Sequence, residues 1–310
     1  MDPLRKRYNT GPKNIVYEID GSSYGLDDQL VEAIKASIEK RLKSNQLEVP
    51  RLPQVATRIM QLSQNPEADL EDIVDAISTD PVLATRVLVV ANSAMYAGSG
   101  RVDGIQQALM RLGFNAVRDM VFAESIRMRI FSAKAYREVL EQSWKLSMGT
   151  AIACESISKL TGIERDSAFL MGLLHDTGKP VLVHAVSEIE RANKGQSIGV
   201  EMIEILMSQL HEETGAHVLK DWGMPEPIVE AARDHHRYKG ATATPAQRLV
   251  HAGNLICQHL GIGDIEKEVA FSVERVFSDL KINDAETIEP LVESVREGVE
   301  RLMSGLEEAA

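Results

Sequence analysis

The sequence predicts an all-α protein, multi-helical and arranged in two lobes, and three observations carry that expectation. Apolar residues recur at helical spacing, as in Val31, Ile34, Ile38 and Leu42 near one end of the chain. Residues that start and stop helices stand at the ends of such runs. One segment, Asn14 to Asp20, alternates as a strand would. With the Asp20–Gly21 turn after it, it predicts no more than a small β-hairpin near the N-terminus.

Taken in order, residues 1–48 read as a lead-in containing one amphipathic helix, with Asp27 and Asp28 suited to its electropositive start. Short helices follow from Leu52–Pro53 to about Phe131. Ile59, Leu62, Leu70, Ile73 and Ile77 supply apolar stripes, interrupted at Asn65–Pro66. Asp80–Pro81 predicts the next start, a capping carboxylate followed by proline at the first helical position. That helix carries Leu83, Val87 and Val90 and ends near Asn92–Ser93, whose side chains are expected to close it by bonding to backbone. After the flexible Gly98–Ser99–Gly100, a helix through Ile105, Ala108, Leu109 and Leu112 stops at Gly113. The second lobe is expected from near Ser143–Trp144 to about Gly261, broken at Trp222-Gly223-Met224-Pro225 and resumed at Pro227. A final amphipathic helix places Ile288, Leu291, Val292, Val295, Val299, Leu302 and Leu306 on one face and glutamates on the other. Docking of this helix on its own domain is expected, with another protomer or partner as the alternative. The expected boundaries are 49–262 for the main domain, split into lobes at 49–140 and 141–262, and 263–310 for a helical extension.

Composition narrows the function. A chain of 310 residues with 44% hydrophobic and 26% charged residues is long enough and apolar enough to bury a sizeable core. No apolar run approaches the roughly 18 to 20 residues of a membrane-spanning helix. Arg5-Lys6-Arg7 has no apolar stretch behind it, so no secretory signal is expected. A net charge of -12 argues against nucleic acid as a partner, because binding a phosphate backbone needs clustered Lys and Arg. Cys154 and Cys257 lack metal-type spacing and read as buried free thiols in a reducing cytoplasm. There is no phosphate-binding Walker loop, dinucleotide glycine fingerprint or nucleophile elbow.

The apolar run Leu170-Met171-Gly172-Leu173-Leu174 ends in an adjacent pair, His175-Asp176, followed by Thr177-Gly178-Lys179. A neutral imidazole beside a carboxylate offers compact N and O donors to a divalent cation. Two donors leave a six-coordinate metal mostly open, so a structural role is favoured. In it Asp176 bonds the turn at Thr177–Gly178 and His175 packs between helices. A second group comprises His211, His217, His235 and His236. These are expected to be solvated or hydrogen-bonded at helix ends. In the alternative, His175, His211, His235, His236 and Arg237 line a pocket for an anionic ligand such as a nucleotide, with Arg237 supplying planar phosphate recognition.

In order along the chain stand Leu52-Pro53, Asp80-Pro81-Val82-Leu83, Ala91-Asn92-Ser93-Ala94 and Ala108-Leu109-Met110-Arg111-Leu112-Gly113. They are followed by Gly172-Leu173-Leu174-His175-Asp176-Thr177-Gly178-Lys179, His211-Glu212-Glu213-Thr214-Gly215-Ala216 and Trp222-Gly223-Met224-Pro225. The ordered set, over roughly residues 50 to 262, resembles the HDOD family, the HD-related output domains. The resemblance implies an all-helical protein with one lobe related to HD-type metal-dependent phosphohydrolases, and a role in bacterial signalling. It also implies where two further metal ligands should stand: a His in the helix after Trp144 and an Asp near Leu249 to Asn254. This chain has Leu146 and Asn254 there, with Ser147 and His251 one register error and three residues away respectively. Leucine cannot ligate, and an asparagine carbonyl lacks the charge that suits hard cations. Asp234-His235-His236-Arg237-Tyr238 also lacks the Gly-Tyr-Pro continuation of the cyclic-di-GMP-hydrolysing HD relatives.

The resemblance therefore implies a degenerate, vestigial metal site at His175 and Asp176. The expected protein is a cytoplasmic, noncatalytic output or scaffold module that works through a signalling protein partner and needs no cofactor. Two alternatives stay open. One is a metal-dependent phosphohydrolase using Mn, Fe, Zn or Mg on a nucleotide or cyclic dinucleotide. The other is a noncatalytic sensor of a nucleotide or cyclic di-GMP. No membrane partner is expected, and a homodimer is compatible with the sequence.

Overall fold

The computed structural model describes residues 28–63, 65, 67–92, 100–131, 136–164, 166–192, 198–263 and 268–307. Among them the regular elements are helices and no strand is formed. The strand and turn expected over residues 14–21 lie outside the described residues.

The first helix, α1 (Asp28–Lys43), buries Val31, Ile34 and Ile38, as their spacing predicts. Four short helices follow: α2 (Gln54–Ser63), α3 (Leu70–Ser78), α4 (Pro81–Ala91) and α5 (Ile105–Leu112). The Asp80 carboxylate accepts from the amides of Val82 at 3.1 Å and Leu83 at 3.0 Å, so α4 starts where the Asp-Pro pair places it. Asn92 closes α4 by donating to the Leu88 carbonyl, and also pins the returning chain by exchanging bonds with Val102. Ser93 lies outside the described residues. Gly113, at φ 83°, lets α5 stop and the chain turn at once into α6 (Phe114–Arg129). Leu70 departs from expectation. It is 44% exposed at the first position of α3, and the buried stripe there is Ile73, Ala76 and Ile77.

The boundary expected near Ser143–Trp144 falls inside one helix, α7 (Arg137–Thr161), because nothing between Tyr136 and Trp144 breaks the turn. Around it stand α8 (Ala168–Leu174), α9 (Gly178–Ala192), α10 (Val200–Asp221), α11 (Glu226–Asp234) and α12 (Pro245–His259). Trp222 ends α10, Gly223 turns at φ 72°, and Pro227 lies in the first turn of α11. The chain ends in α13 (Arg275–Asp279) and α14 (Ala285–Glu307).

One apolar core runs from Leu47 to Leu302 through both halves of the chain. A smaller one gathers α1, α9 and α10 around Ile38, Val186 and Leu206. Cys154 and Cys257 are buried and free within the larger core. The final helix docks on its own chain, against α7 and α4.

Candidate functional site

Two glycines set the site. A Cβ on Gly172 would lie 2.5 Å from the Thr150 carbonyl oxygen, so α8 presses directly on α7. A Cβ on Gly178 would lie 2.0 Å from the His211 carbonyl oxygen and 2.7 Å from the Gly215 nitrogen, so the start of α9 touches α10 backbone to backbone. The turn between those glycines holds His175 and Asp176, and their side chains consequently point at α10 and at the end of α11. There His211, His235 and His236 converge with them.

Three imidazoles are oriented the same way. Nδ1 of His175 lies 2.7 Å from the Gly172 carbonyl, that of His211 2.6 Å from Met207, and that of His235 2.9 Å from Ala232. A carbonyl only accepts, so each Nδ1 carries the proton and each Nε2 faces inward. Asp176 Oδ1 lies 3.6 Å from His211 Nε2 and 3.5 Å from His235 Nε2, while Oδ2 lies 3.3 Å from His175 Nε2. His211 Nε2 is also 3.3 Å from His235 Nε2 and 3.1 Å from His236 Nε2. The Lys179 ammonium, on the first turn of α9, donates to Asp176 Oδ2 at 2.5 Å.

Asp176 therefore does not bond the turn at Thr177–Gly178, as a purely local role requires. Its carboxylate turns inward because the backbone closes that turn itself, Thr177 to Leu174 and Lys179 to Asp176. Burial alone would raise its pKa, but His175 and Lys179 outweigh burial and hold it well below the usual carboxylate range. Burial pushes His211 down to about 3 against the pull of Asp176, and lowers His235 as well. Neutral His211 and His235 thus present Nε2 lone pairs to one another, an unfavourable contact that a proton or cation between them would relieve.

The donor set fits a divalent cation. His175 Nε2 and Asp176 Oδ1 are buried without a hydrogen bond. The ligand atoms of His175, Asp176 and His235 lie within 4.8 Å of one another, as do those of His211, His235 and His236. Imidazole nitrogens with one carboxylate suit zinc, iron or nickel-like ions better than magnesium.

Other sequence candidates lie outside this cluster. His217 lies about 1.7 turns along α10 from His211, a rotation that carries it well off the side facing the cluster. Arg237 is turned to the surface and pairs with Glu212 at 3.3 Å. Leu146 is a core residue, in contact range of Gly263, and Asn254 is buried with its Oδ1 unbonded. Ser147 is fully buried with its hydroxyl unbonded. His251 bonds the His235 carbonyl at 2.9 Å through Nδ1 and stacks on Tyr238 at 5.0 Å, bracing the site from behind. Sequence reasoning missed Lys179. Its signal was its position, three residues beyond Asp176 and on the same face of the turn that opens α9.

The HDOD domain profile matches residues 49–238. The chain is 28% identical over 210 residues to an uncharacterized protein of Treponema pallidum (strain Nichols), covering 66% of this chain and 40% of that one, so it spans well under half of that relative's length. Its fold is similar to a provisionally named metal-dependent phosphohydrolase of Shewanella amazonensis SB2B, with TM-score 0.67, 19% identity and coverage of 87% of this chain and 99% of that one. It is also similar to a provisionally named signal transduction protein of Marinobacter aquaeolei VT8, with TM-score 0.63, 25% identity and coverage of 90% and 65%.

Proposed function

The chain belongs to the HDOD family, and from that premise we propose that it is a non-hydrolytic signalling module that acts by engaging a protein partner. The closure of the centre carries this reading. His175, Asp176, His211 and His235 expose 0%, 1%, 3% and 1% of their surface. Of the cluster, His236 alone reaches solvent. A metal-dependent phosphohydrolase must bring a phosphoryl group to the metal and keep a position open for the attacking water. Here imidazoles wall the carboxylate in on one side and an ammonium occupies Asp176 Oδ2 on the other. Leu146 and Asn254 stand where the resemblance puts two further ligands. The net charge of -12 fits a protein partner better than a nucleic acid. Two buried, unpaired thiols fit a reducing cytoplasm, and no described helix is long and apolar enough to cross a membrane.

The unbonded His175 Nε2 and Asp176 Oδ1 favour a second reading of the same centre, as a cation site without turnover. His175, Asp176, His211 and His235 would hold the ion, which would supply the positive charge that the facing lone pairs lack.

Elemental analysis after dialysis against Mn, Fe and Zn in turn tests the centre. One ion per chain, lost in His235→Ala, supports the cation site; near-zero metal removes it. Calorimetric titration with cyclic di-GMP and common nucleotides tests the mode of signalling. No saturable heat is expected, and stoichiometric binding would replace the partner reading with a nucleotide sensor.

A further inference from the structure

We infer that the Tyr238–Asp279 hydrogen bond is a latch that holds the His-Asp centre shut, so that α13 governs access to it. The inference rests on the closed centre described above and names what regulates it. The outer wall of that centre is the run His235-His236-Arg237-Tyr238, which follows α11. The run supplies two of the converging imidazoles, and one of them, His236, is where solvent reaches the cluster. Whatever fixes this run therefore fixes the closure.

Contacts from three elements hold the run, and they differ in strength. From α10, Glu212 accepts from the His236 amide at 3.4 Å and from Arg237 at 3.3 Å. Both bonds are long and the Arg237 side chain is 56% exposed, so water competes for them and they contribute little. From α12, His251 holds the His235 carbonyl at 2.9 Å, but its ring is itself covered by Tyr238, stacked at 5.0 Å with 6° between planes. From α13, the Asp279 carboxylate accepts from the Tyr238 hydroxyl, a charge-assisted bond of the stronger class. Burial, and then Asp279, push the Tyr238 pKa up to about 12, so the phenol keeps the proton it donates.

The far side of the latch is anchored. Val276 and Phe277 of α13 are buried, and Phe277 packs edge-on against Phe271 at 5.0 Å. Arg275 lies 3.6 Å from Asp279 and rests against Gly240, where a Cβ would come 2.5 Å from its Cζ. Gly240 turns at φ 63°, so its conformation and the Arg275 contact both exclude a side chain. A short helix outside the centre is thereby joined to a site imidazole in three steps. Asp279 binds Tyr238, Tyr238 stacks on His251, and His251 bonds the backbone of His235.

The test reads imidazole exposure in the full, metal-free chain. Diethyl pyrocarbonate acylates an accessible imidazole at its unprotonated ring nitrogen, and mass spectrometry gives the initial rate at each histidine. In wild type, His236 should label fast and His211 and His235 slowly. Tyr238→Phe keeps the ring stack and removes the latch, so labelling of His211 and His235 should rise about tenfold, as loss of a hydrogen bond to a charged group allows. Asp279→Ala, on the other side of the latch, should give the same rise, and the double variant no further rise. His184, held at the Ile130 carbonyl, should keep its wild-type rate throughout. Protection in wild type that persists unchanged in Tyr238→Phe overturns the latch and leaves the closed centre standing. Fast labelling of His211 and His235 in wild type overturns the closed centre, and the latch with it. Rises that multiply in the double variant, or an equal rise at His184, overturn the latch by showing general loosening. The assay contains no metal, so its outcome does not depend on whether the centre holds an ion.

Discussion

At the scale of residues, the decisive arrangement is three imidazoles whose Nδ1 protons are held by Gly172, Met207 and Ala232, with Nε2 facing Asp176. It makes stability depend on pH in a predictable direction. His211, at about 3 in the fold, ionises near 6.5 once unfolded. Between those values the unfolded chain holds the extra proton, so stability falls as pH drops below about 6.5, by ~1.4 kcal/mol per pH unit for each such imidazole. Asp176, held low, adds a loss only below its unfolded value near 3.9. Urea midpoints of the metal-free protein should therefore decline from pH 7.5 to pH 5, and decline less steeply in His211→Asn. A flat profile would show that these imidazoles are not buried in the neutral form. Lys179 gives a second prediction. Its ammonium is a positive charge held against Asp176, close to the proposed ion, so Lys179→Met should tighten zinc binding roughly tenfold or more, read by competition with a chelator; unchanged affinity would mean that the ion does not sit beside Asp176. The adjacency of His175 and Asp176 was legible in the sequence. Their meeting with His211 and His235 was not, because it depends on which helices cross.

At the scale of elements, local chemistry placed much of the frame. Asp80–Pro81 starts α4 and Gly113 ends α5, as their side chains and backbone freedom dictate. Two capping boxes escaped notice, Asp69 with Asp72 and Thr244 with Gln247, although each has the required three-residue spacing. The second lobe was expected from near Ser143–Trp144; the helix that carries these residues, α7, begins earlier, after Tyr136 in a left-handed conformation. Leu70 fits the stripe in sequence but sits at the open first turn of α3. The backbone approach at Gly178 yields the sharpest prediction at this scale. Gly178→Ala sets a methyl against the His211 carbonyl, so α9 and α10 must separate. The expected cost is about 3 kcal/mol or more, seen as a lower urea midpoint together with weaker metal binding. An unchanged midpoint would mean that the two helices do not make this contact.

At the scale of the whole molecule, the ordered motifs made the family legible, and the all-helical fold with it. They did not disclose that one apolar core passes through both halves, nor that α14 lies across α4 and α7. Such long-range packing has no local periodicity to betray it. Nor could they reveal that the His-Asp centre is closed, the observation on which the proposed non-hydrolytic reading rests. The most direct test is phosphodiester turnover by protein loaded with Mn, Fe or Zn, using cyclic di-GMP and a chromogenic phosphodiester, with Asp176→Asn as the control. A non-hydrolytic module gives no turnover above that control. Saturable, metal-dependent hydrolysis lost in Asp176→Asn would contradict the account and make the closed centre one state of an enzyme that opens.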